Sequence, residues 1–224
     1  MSARDLIFGS IRRSLGVSGK EATRRKTVAD RLAQHPTGIV PARGQLGAQE
    51  RLALFRTMTE AANSSVEEID AGDVPSAIAA FLRAHNLPML VKRGADQRLA
   101  ALPWERERTL EVSSGPSDGK DLVAVSHAFG AVAESGTLML ISGPDNPTTL
   151  NFLPDSHIVV LDAKDVAGDY ETLWRRLREK FGDGTMPRTI NLITGPSRSA
   201  DIEQTLILGA HGPRRLHVMV VGKS

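Results

Sequence analysis

Two short segments concentrate the side chains able to do chemistry. In the first, Thr194-Gly195-Pro196-Ser197-Arg198-Ser199-Ala200-Asp201-Ile202-Glu203, an apolar run from Ile190 to Ile193 stops at Gly-Pro and gives way to hydroxyls, a guanidinium and carboxylates. Thr194, Ser197, Arg198 and Ser199 offer donors suited to a phosphate or carboxylate, and a capping serine could aim a helix dipole at the same anion. Asp201 and Glu203 would repel that anion; they suit hydroxyl or metal-oxygen contacts, or an ion pair with Arg198. The segment is no P-loop, because it lacks the Gly-Lys-Ser/Thr ending. Ligand binding and simple turn-and-cap structure both account for it. The segment follows an apolar strand, which is where open α/β sheets place their ligands.

The second segment, Ala133-Glu134-Ser135-Gly136-Thr137, precedes another apolar run. Glu134 admits several jobs: nucleophile on an acyl group, general base, or acceptor from backbone amides in a turn. Gly136 would let the backbone come close to a ligand, with Ser135 and Thr137 as flanking donors. Among the histidines, His211 sits in a Gly-rich loop and is the better ligand or base candidate. His157 and His217 fall inside strand-like runs and read as structural, and His127 follows a third. No pair has the His-Glu-x-x-His spacing, so no dedicated metal site is expected.

These side chains need a scaffold, and the spacing of apolar residues predicts one. Val66–Ile69, Pro88–Val91, Thr109–Val112, Leu122–Val125, Leu138–Ile141, His157–Leu161, Thr189–Ile193 and Leu216–Val221 read as strands. A helix opening near Asp73 with Pro75 in its first turn carries Ile78, Phe81 and Leu82 on one stripe. A second runs from Val166 to Phe181 with Tyr170, Leu173, Trp174 and Leu177 at helical spacing. Short β-branched runs separated by helices are the pattern of an α/β fold with a largely parallel sheet flanked by helices. Upstream, Ile7, Ile11 and Leu15 before Gly16, then Ala22–Gln34, then a stretch carrying Leu52, Phe55, Thr59 and Ala62, predict helices. The expected division is a helical arm over residues 1–64 and an α/β domain over 65–224.

Composition narrows the function. With 41% hydrophobic and 24% charged residues the chain has the make-up of a globular protein. It has no apolar stretch of the about 18 residues that a membrane span needs, and its first residues lack a secretory signal, so a cytoplasmic location is expected. The absence of cysteine excludes disulfides, a cysteine nucleophile and thiolate-held zinc or iron–sulfur clusters in this chain. Any electron carrier must sit on another molecule. A formal charge of +2 is too small to argue for nucleic acid, and the basic residues from Arg4 to Arg56 have few aromatics among them for stacking on bases. They read as a solvated helical face or as a docking arm for an acidic partner.

Taken together, Ala133–Thr137, Pro154-Asp155-Ser156-His157-Ile158-Val159-Val160, Thr194–Glu203, Leu208-Gly209-Ala210-His211-Gly212-Pro213 and the run Leu216–Val221 resemble the LUD-domain family. The resemblance covers the chain from about Val66 onward, and the basic arm loosely. It implies a fold like that of the NagB/RpiA/CoA-transferase group, which also includes 5-formyltetrahydrofolate cyclo-ligase. It further implies membership of a three-component bacterial system that oxidises L-lactate to pyruvate. Two partner proteins of that system carry cysteine-rich iron–sulfur motifs, and one of them also has a LUD-type domain. This chain would bind no cluster itself, and a nucleotide-like ligand or a small carboxylate substrate would occupy its polar loops. The resemblance assigns no catalytic residue: distant CoA-transferase relatives use a glutamate, but shared fold does not transfer chemistry. Glu134 therefore stands as a candidate on its local sequence alone. A stand-alone acyl- or phosphoryl-transfer enzyme with a CoA- or ATP-like ligand is the alternative expectation.

Overall fold

The computed structural model of the chain describes residues 2–182, 184–200 and 206–222. They fall into two compact units, Met1–Ile39 and Val40–Ser224. The first holds helices α1 (Ala3–Leu15) and α2 (Ala22–Gln34). Ser2 caps α1: its Oγ accepts from the Asp5 amide while the Asp5 carboxylate accepts from the Ser2 amide, and left-handed Gly16 ends the helix. Neither helix buries a residue.

The second unit runs α3 (Ala48–Ala61), β1 (Ser65–Ile69), α4 (Val74–Ala84), β2 (Leu90–Arg93), α5 (Gln97–Ala100), β3 (Glu111–Ser114), β4 (Val123–His127), β5 (Gly130–Val132) and β6 (Thr137–Ile141). It continues with α6 (Thr148–Phe152), β7 (Ser156–Asp162), β8 (Val166–Ala167), α7 (Tyr170–Phe181), β9 (Ile190–Ile193), β10 (Arg198–Ala200), β11 (Leu206–Leu208) and β12 (Arg215–Val221). Six strands form a wholly parallel sheet in the order β1-β12-β7-β4-β2-β3. The predicted α/β fold with a parallel sheet flanked by helices is thus present.

A second sheet, β8-β5-β6-β9, is mixed, with β6 antiparallel to both β5 and β9. Leu138–Ile141 and the run ending at Ile193 are strands, as their composition predicts, but they pair here and not in the parallel sheet. The helix expected from Val166 starts later. Val166 and Ala167 pair with β5, and Asp169 caps α7 by accepting from the Thr172 amide at 2.8 Å.

The period-two alternation of strands divides the core into layers. Val159, Leu161, Val218 and Val220 point from the parallel sheet to one side, where they meet Leu138 and Leu140 of the second sheet and Leu52 and Phe55 of α3. Ile158, Val160, Met219 and Val221 point to the other side, onto Ile78 and Leu82 of α4 and Leu99 of α5. Met139 and Val132 face outward from the second sheet onto Leu173 and Leu177 of α7. With both faces of the parallel sheet covered, its strands read as unbroken apolar runs. Phe55 is fully buried, so α3 packs into the second unit as part of its core.

Two consequences are measurable. Gly136 has φ +66°, and a Cβ there would stand 2.6 Å from the Thr59 amide nitrogen and 2.7 Å from the Met58 carbonyl carbon, both helix backbone. Gly136→Ala is expected to cost about 3 kcal/mol through strain and displacement of α3, a fall in melting temperature of roughly 6–12 °C; a thermal melt that moves by less than 2 °C would refute this packing. Burial holds the imidazole of His157 down to about 3 and, with help from His85, that of His217 down to about 4. Both are neutral in the fold, while in the unfolded chain they take up protons below about pH 6.5. Their contribution to stability is therefore complete above about pH 6.5 and lost as pH falls toward 4 and then 3. Guanidinium unfolding across this range should show a slope approaching about 1.4 kcal/mol per pH unit for each histidine, and His157→Gln should remove its share.

Candidate functional site

The polar segment after β9 forms one wall of a cleft of about 260 Å³. Thr194, Gly195, Ser197 and Arg198 supply that wall, with His211, Gly212 and Pro213 packed beside Ser197. The floor is made by Asn151 and His157. Because His157 and Leu216 are at the starts of β7 and β12, the cleft opens at the amino edge of the parallel sheet. The expectation of a ligand at the carboxyl edge assumed that the strand before Thr194 belonged to the parallel sheet. It belongs to the second sheet and runs antiparallel to β6, which carries the loop to the other edge.

Local bonding explains the wall's shape. The Ser197 amide donates to the Pro213 carbonyl at 2.8 Å and the Gly209 amide to the Ser197 carbonyl at 2.9 Å. The His211 amide donates to Ser197 Oγ at 3.2 Å, so this hydroxyl already accepts one bond and the loop holding His211 is tied to it. Gly195, at φ +75°, lies directly against the Ala62 carbonyl at the end of α3, where any Cβ would collide. Arg198 Nη2 donates to the same carbonyl at 3.1 Å. Its guanidinium therefore complements the negative end of α3 while remaining on an exposed residue of the wall. Ser199 continues into β10, which pairs with β11. Asp201 and Glu203 lie outside the described residues.

The Glu134 turn is joined to this wall by hydroxyls. Ser135 Oγ donates to Tyr170 Oη at 3.0 Å and lies 2.8 Å from Thr137 Oγ1. Thr137 Oγ1 is 2.7 Å from Tyr170 Oη and 2.6 Å from Thr194 Oγ1. The two segments singled out in the sequence thus meet through one network. Thr137, which touches Ser135, Tyr170 and Thr194, is its hub, and Tyr170, part of an apolar stripe in the sequence, joins it through its hydroxyl. Glu134 is not in the cleft: it is 4% exposed, its amide donates to the Gly168 carbonyl, and its Oε2 is buried with no hydrogen-bond partner.

The floor holds the chemistry that the sequence did not signal. His157 Nε2 is 2.9 Å from Ser126 Oγ, which donates to Asn151 Oδ1 at 3.3 Å. In this chain of bonds the imidazole carries its proton on Nε2, leaving Nδ1 as a bare acceptor. Nδ1 of His157 and Nδ2 of Asn151 are both buried without a partner. The floor residues therefore hold one unsatisfied acceptor and one unsatisfied donor, each costly unless something in the cleft completes it. Asn151 lies in α6, a short helix whose sequence Thr-Thr-Leu-Asn-Phe gives no periodic signal. His127 and His217 are elsewhere: the first ends β4 at the carboxyl edge, and the second bonds Ser65 Oγ through Nδ1 at 2.7 Å. Among the described residues no group of three or more His, Asp or Glu side chains is arranged to hold a metal ion, and no helix is long and apolar enough to cross a membrane.

Comparison with known proteins finds relatives of this region. Residues 121–221 match the model of the LUD domain, a span that includes both polar segments and the whole cleft. A protein of Neisseria meningitidis without an assigned function is 39% identical over 40% of this chain and 38% of its own. Lactate utilization protein C of Shouchella clausii is 34% identical over 44% of this chain and 43% of its own. Each of these matches thus spans well under half of the relative's length. The protein of the same name from an Exiguobacterium strain is 28% identical over 77% of this chain and 78% of its own. A crystal structure of a DUF162 family protein from Deinococcus radiodurans shares the fold, with a TM-score of 0.60 at 22% identity over 79% of this chain and 99% of that one. Over residues 121–221 the chain is similar to the LUD-domain family.

Proposed function

We propose that this chain is a subunit of a bacterial L-lactate utilization system that oxidises L-lactate to pyruvate together with iron–sulfur partner proteins, and that its amino-edge cleft receives the small carboxylate. The similarity to a protein named lactate utilization protein C over 77% of the chain is the observation that carries the process. The electrons of the oxidation have no thiolate-held cluster to enter here, because the chain contains no cysteine. That step belongs to the partners.

The cleft suits a 2-hydroxy acid. A substrate hydroxyl would donate to His157 Nδ1, and a carboxylate would accept from Asn151 Nδ2 and pair with the Arg198 guanidinium. Burial keeps His157 neutral at physiological pH, so its Nδ1 can accept a hydrogen bond from a hydroxyl, whereas an imidazolium could not. The other polar segment acts at one remove: Thr137 and Tyr170 hold Thr194, and Thr194 holds the wall. Glu134 does not line this cleft, and its carboxylate is buried.

The test is lactate-dependent dye reduction by the reconstituted partner proteins, with and without this chain. Full activity is expected only when it is present, and Arg198→Ala is expected to raise the half-saturating lactate concentration by about tenfold or more, the weight of a charge-assisted bond. Dye reduction that is unchanged when the chain is omitted would remove it from the working system. A normal Arg198→Ala response would remove the carboxylate from this cleft.

A further inference from the structure

The opposite edge of the parallel sheet carries a second groove that the lactate reading does not use. From β2 the chain moves outward to β3, whereas from β4 it moves the other way, to β7 and then β12. β2 and β4 are neighbours, so the crevice between their carboxyl ends is the topological switch point at which open α/β sheets bind ligands. That crevice is open. Two overlapping hollows of about 290 and 390 Å³ share Asp96, Arg98, Phe129, Asp145 and Lys180 as walls.

Two acceptors there lack a donor. His127, at the end of β4, is buried, and its Nδ1 stands 2.9 Å from the Ala128 carbonyl, which can only accept. Nδ1 therefore carries the proton, and Nε2 is a bare acceptor facing a carboxylate, Asp162 Oδ2, at 3.7 Å, too far for a hydrogen bond. Asn146 donates through Nδ2 to the Ile141 carbonyl and leaves Oδ1 buried without a partner. The Asp145 side chain is exposed on the same turn. Donors are fewer. Arg98 is held by Asp96 through Nε and Nη2 at 3.2 and 2.8 Å, which leaves Lys180 as the flexible cation of the shared wall.

Charge argues against an anion. Four carboxylates, Asp96, Asp145, Asp162 and Asp165, stand against two cations, Arg98 and Lys180. Burial and the neighbouring Asp162 hold the Asp165 carboxyl above its ordinary range, the sign of crowded negative charge. A small carboxylate such as lactate would add to that crowding. A ligand rich in neutral hydroxyls would relieve the unpaired acceptors without it, and Phe129 offers an apolar surface for a ring.

We propose that this carboxyl-edge groove binds an uncharged hydroxylated ligand of the sugar class, its hydroxyls donating to His127 Nε2, Asn146 Oδ1 and the Asp145 carboxylate and its ring lying against Phe129. The same chemistry is carried by a free sugar and by the ribose of a nucleoside. The full-length protein, labelled with ¹⁵N at histidine, is titrated with D-ribose, adenosine, 2′-deoxyadenosine and L-lactate, following the His127 ring resonances by NMR and affinity by calorimetry. Ribose and adenosine are expected to shift the His127 Nε2 resonance, and 2′-deoxyadenosine to bind about tenfold more weakly than adenosine for want of one hydroxyl. Adenosine binding tighter than ribose assigns the site to nucleosides, and equal or weaker binding to free sugars. Asp145→Ala, an exposed side chain whose loss leaves the fold intact, is expected to weaken binding by about tenfold; His127→Leu is expected to abolish it. The proposal is overturned if neither diol shifts His127, if the deoxy compound binds as well as adenosine, if Asp145→Ala binds unchanged, or if L-lactate is the ligand that moves the resonance. Since the dye-reduction assay probes the other edge, either reading can fail alone.

Discussion

The last turn of α3 is the constraint on which the arrangement of the second unit rests. Two polar turns press their backbones onto it: Gly136 against the Met58–Thr59 peptide and Gly195 against the Ala62 carbonyl, both at positive φ. Each approach is closed to any side chain, so each position needs glycine for reasons of space and of backbone conformation together. The same carbonyl takes the bond from Arg198 Nη2. Once α3 is anchored in the core by Leu52 and Phe55, both turns and the guanidinium are fixed relative to the sheet. The hydroxyls of Ser135, Thr137, Tyr170 and Thr194 then close the gap between the turns. Such a network is worth more than its separate bonds, because each hydroxyl orients the next.

A parallel sheet covered on both faces can be functional only at its edges. Its interior positions are taken by Val159, Val218, Ile158 and Met219, which pack against helices or the second sheet. The polar groups that break this rule are the informative ones. At the amino edge, His157 and Asn151 keep one unpaired acceptor and one unpaired donor, and the wall adds an arginine, a combination complementary to a hydroxy carboxylate. At the carboxyl edge, acceptors and carboxylates prevail, a combination complementary to neutral hydroxyls and hostile to anions. The two edges therefore differ in the sign of the ligand they would accept, and electrostatics separates them more firmly than shape does.

Much of the fold was legible because strand and helix each leave a distinct period. The runs at His157–Leu161 and Leu216–Val221 are uninterrupted and β-branched, and both are central parallel strands. Pairing was less legible. Leu138–Ile141 is as apolar as those runs, yet it lies in the second sheet, because its two faces are buried by α7 and by the parallel sheet and composition cannot distinguish one cover from another. Gly130–Val132 and Val166–Ala167 are too short to carry a period. The start of α7 had a local signal, Gly-Asp before Tyr170, that the apolar spacing overrode. For the site, the hydroxyl-rich segments were visible as composition, but the floor was not: Ser126, Asn151 and His157 come from separate elements and meet only in three dimensions.

Arg198 shows why a structural bond and a binding role need not compete. A free surface arginine loses about 2 kcal/mol of rotamer entropy when a ligand fixes it. Here one of its nitrogens is already held by the Ala62 carbonyl, so part of that loss is taken during folding and not on binding. The bond also places the positive charge at the negative end of α3, so the guanidinium is held at the cleft wall before any ligand arrives. The same reasoning runs in reverse for Glu134. Its turn is pinned to α3 by Gly136, and its carboxylate is buried. A residue type and a spacing shared with catalytic turns elsewhere do not by themselves make it a nucleophile; any access to a substrate has to be gained against the packing of Gly136 on α3.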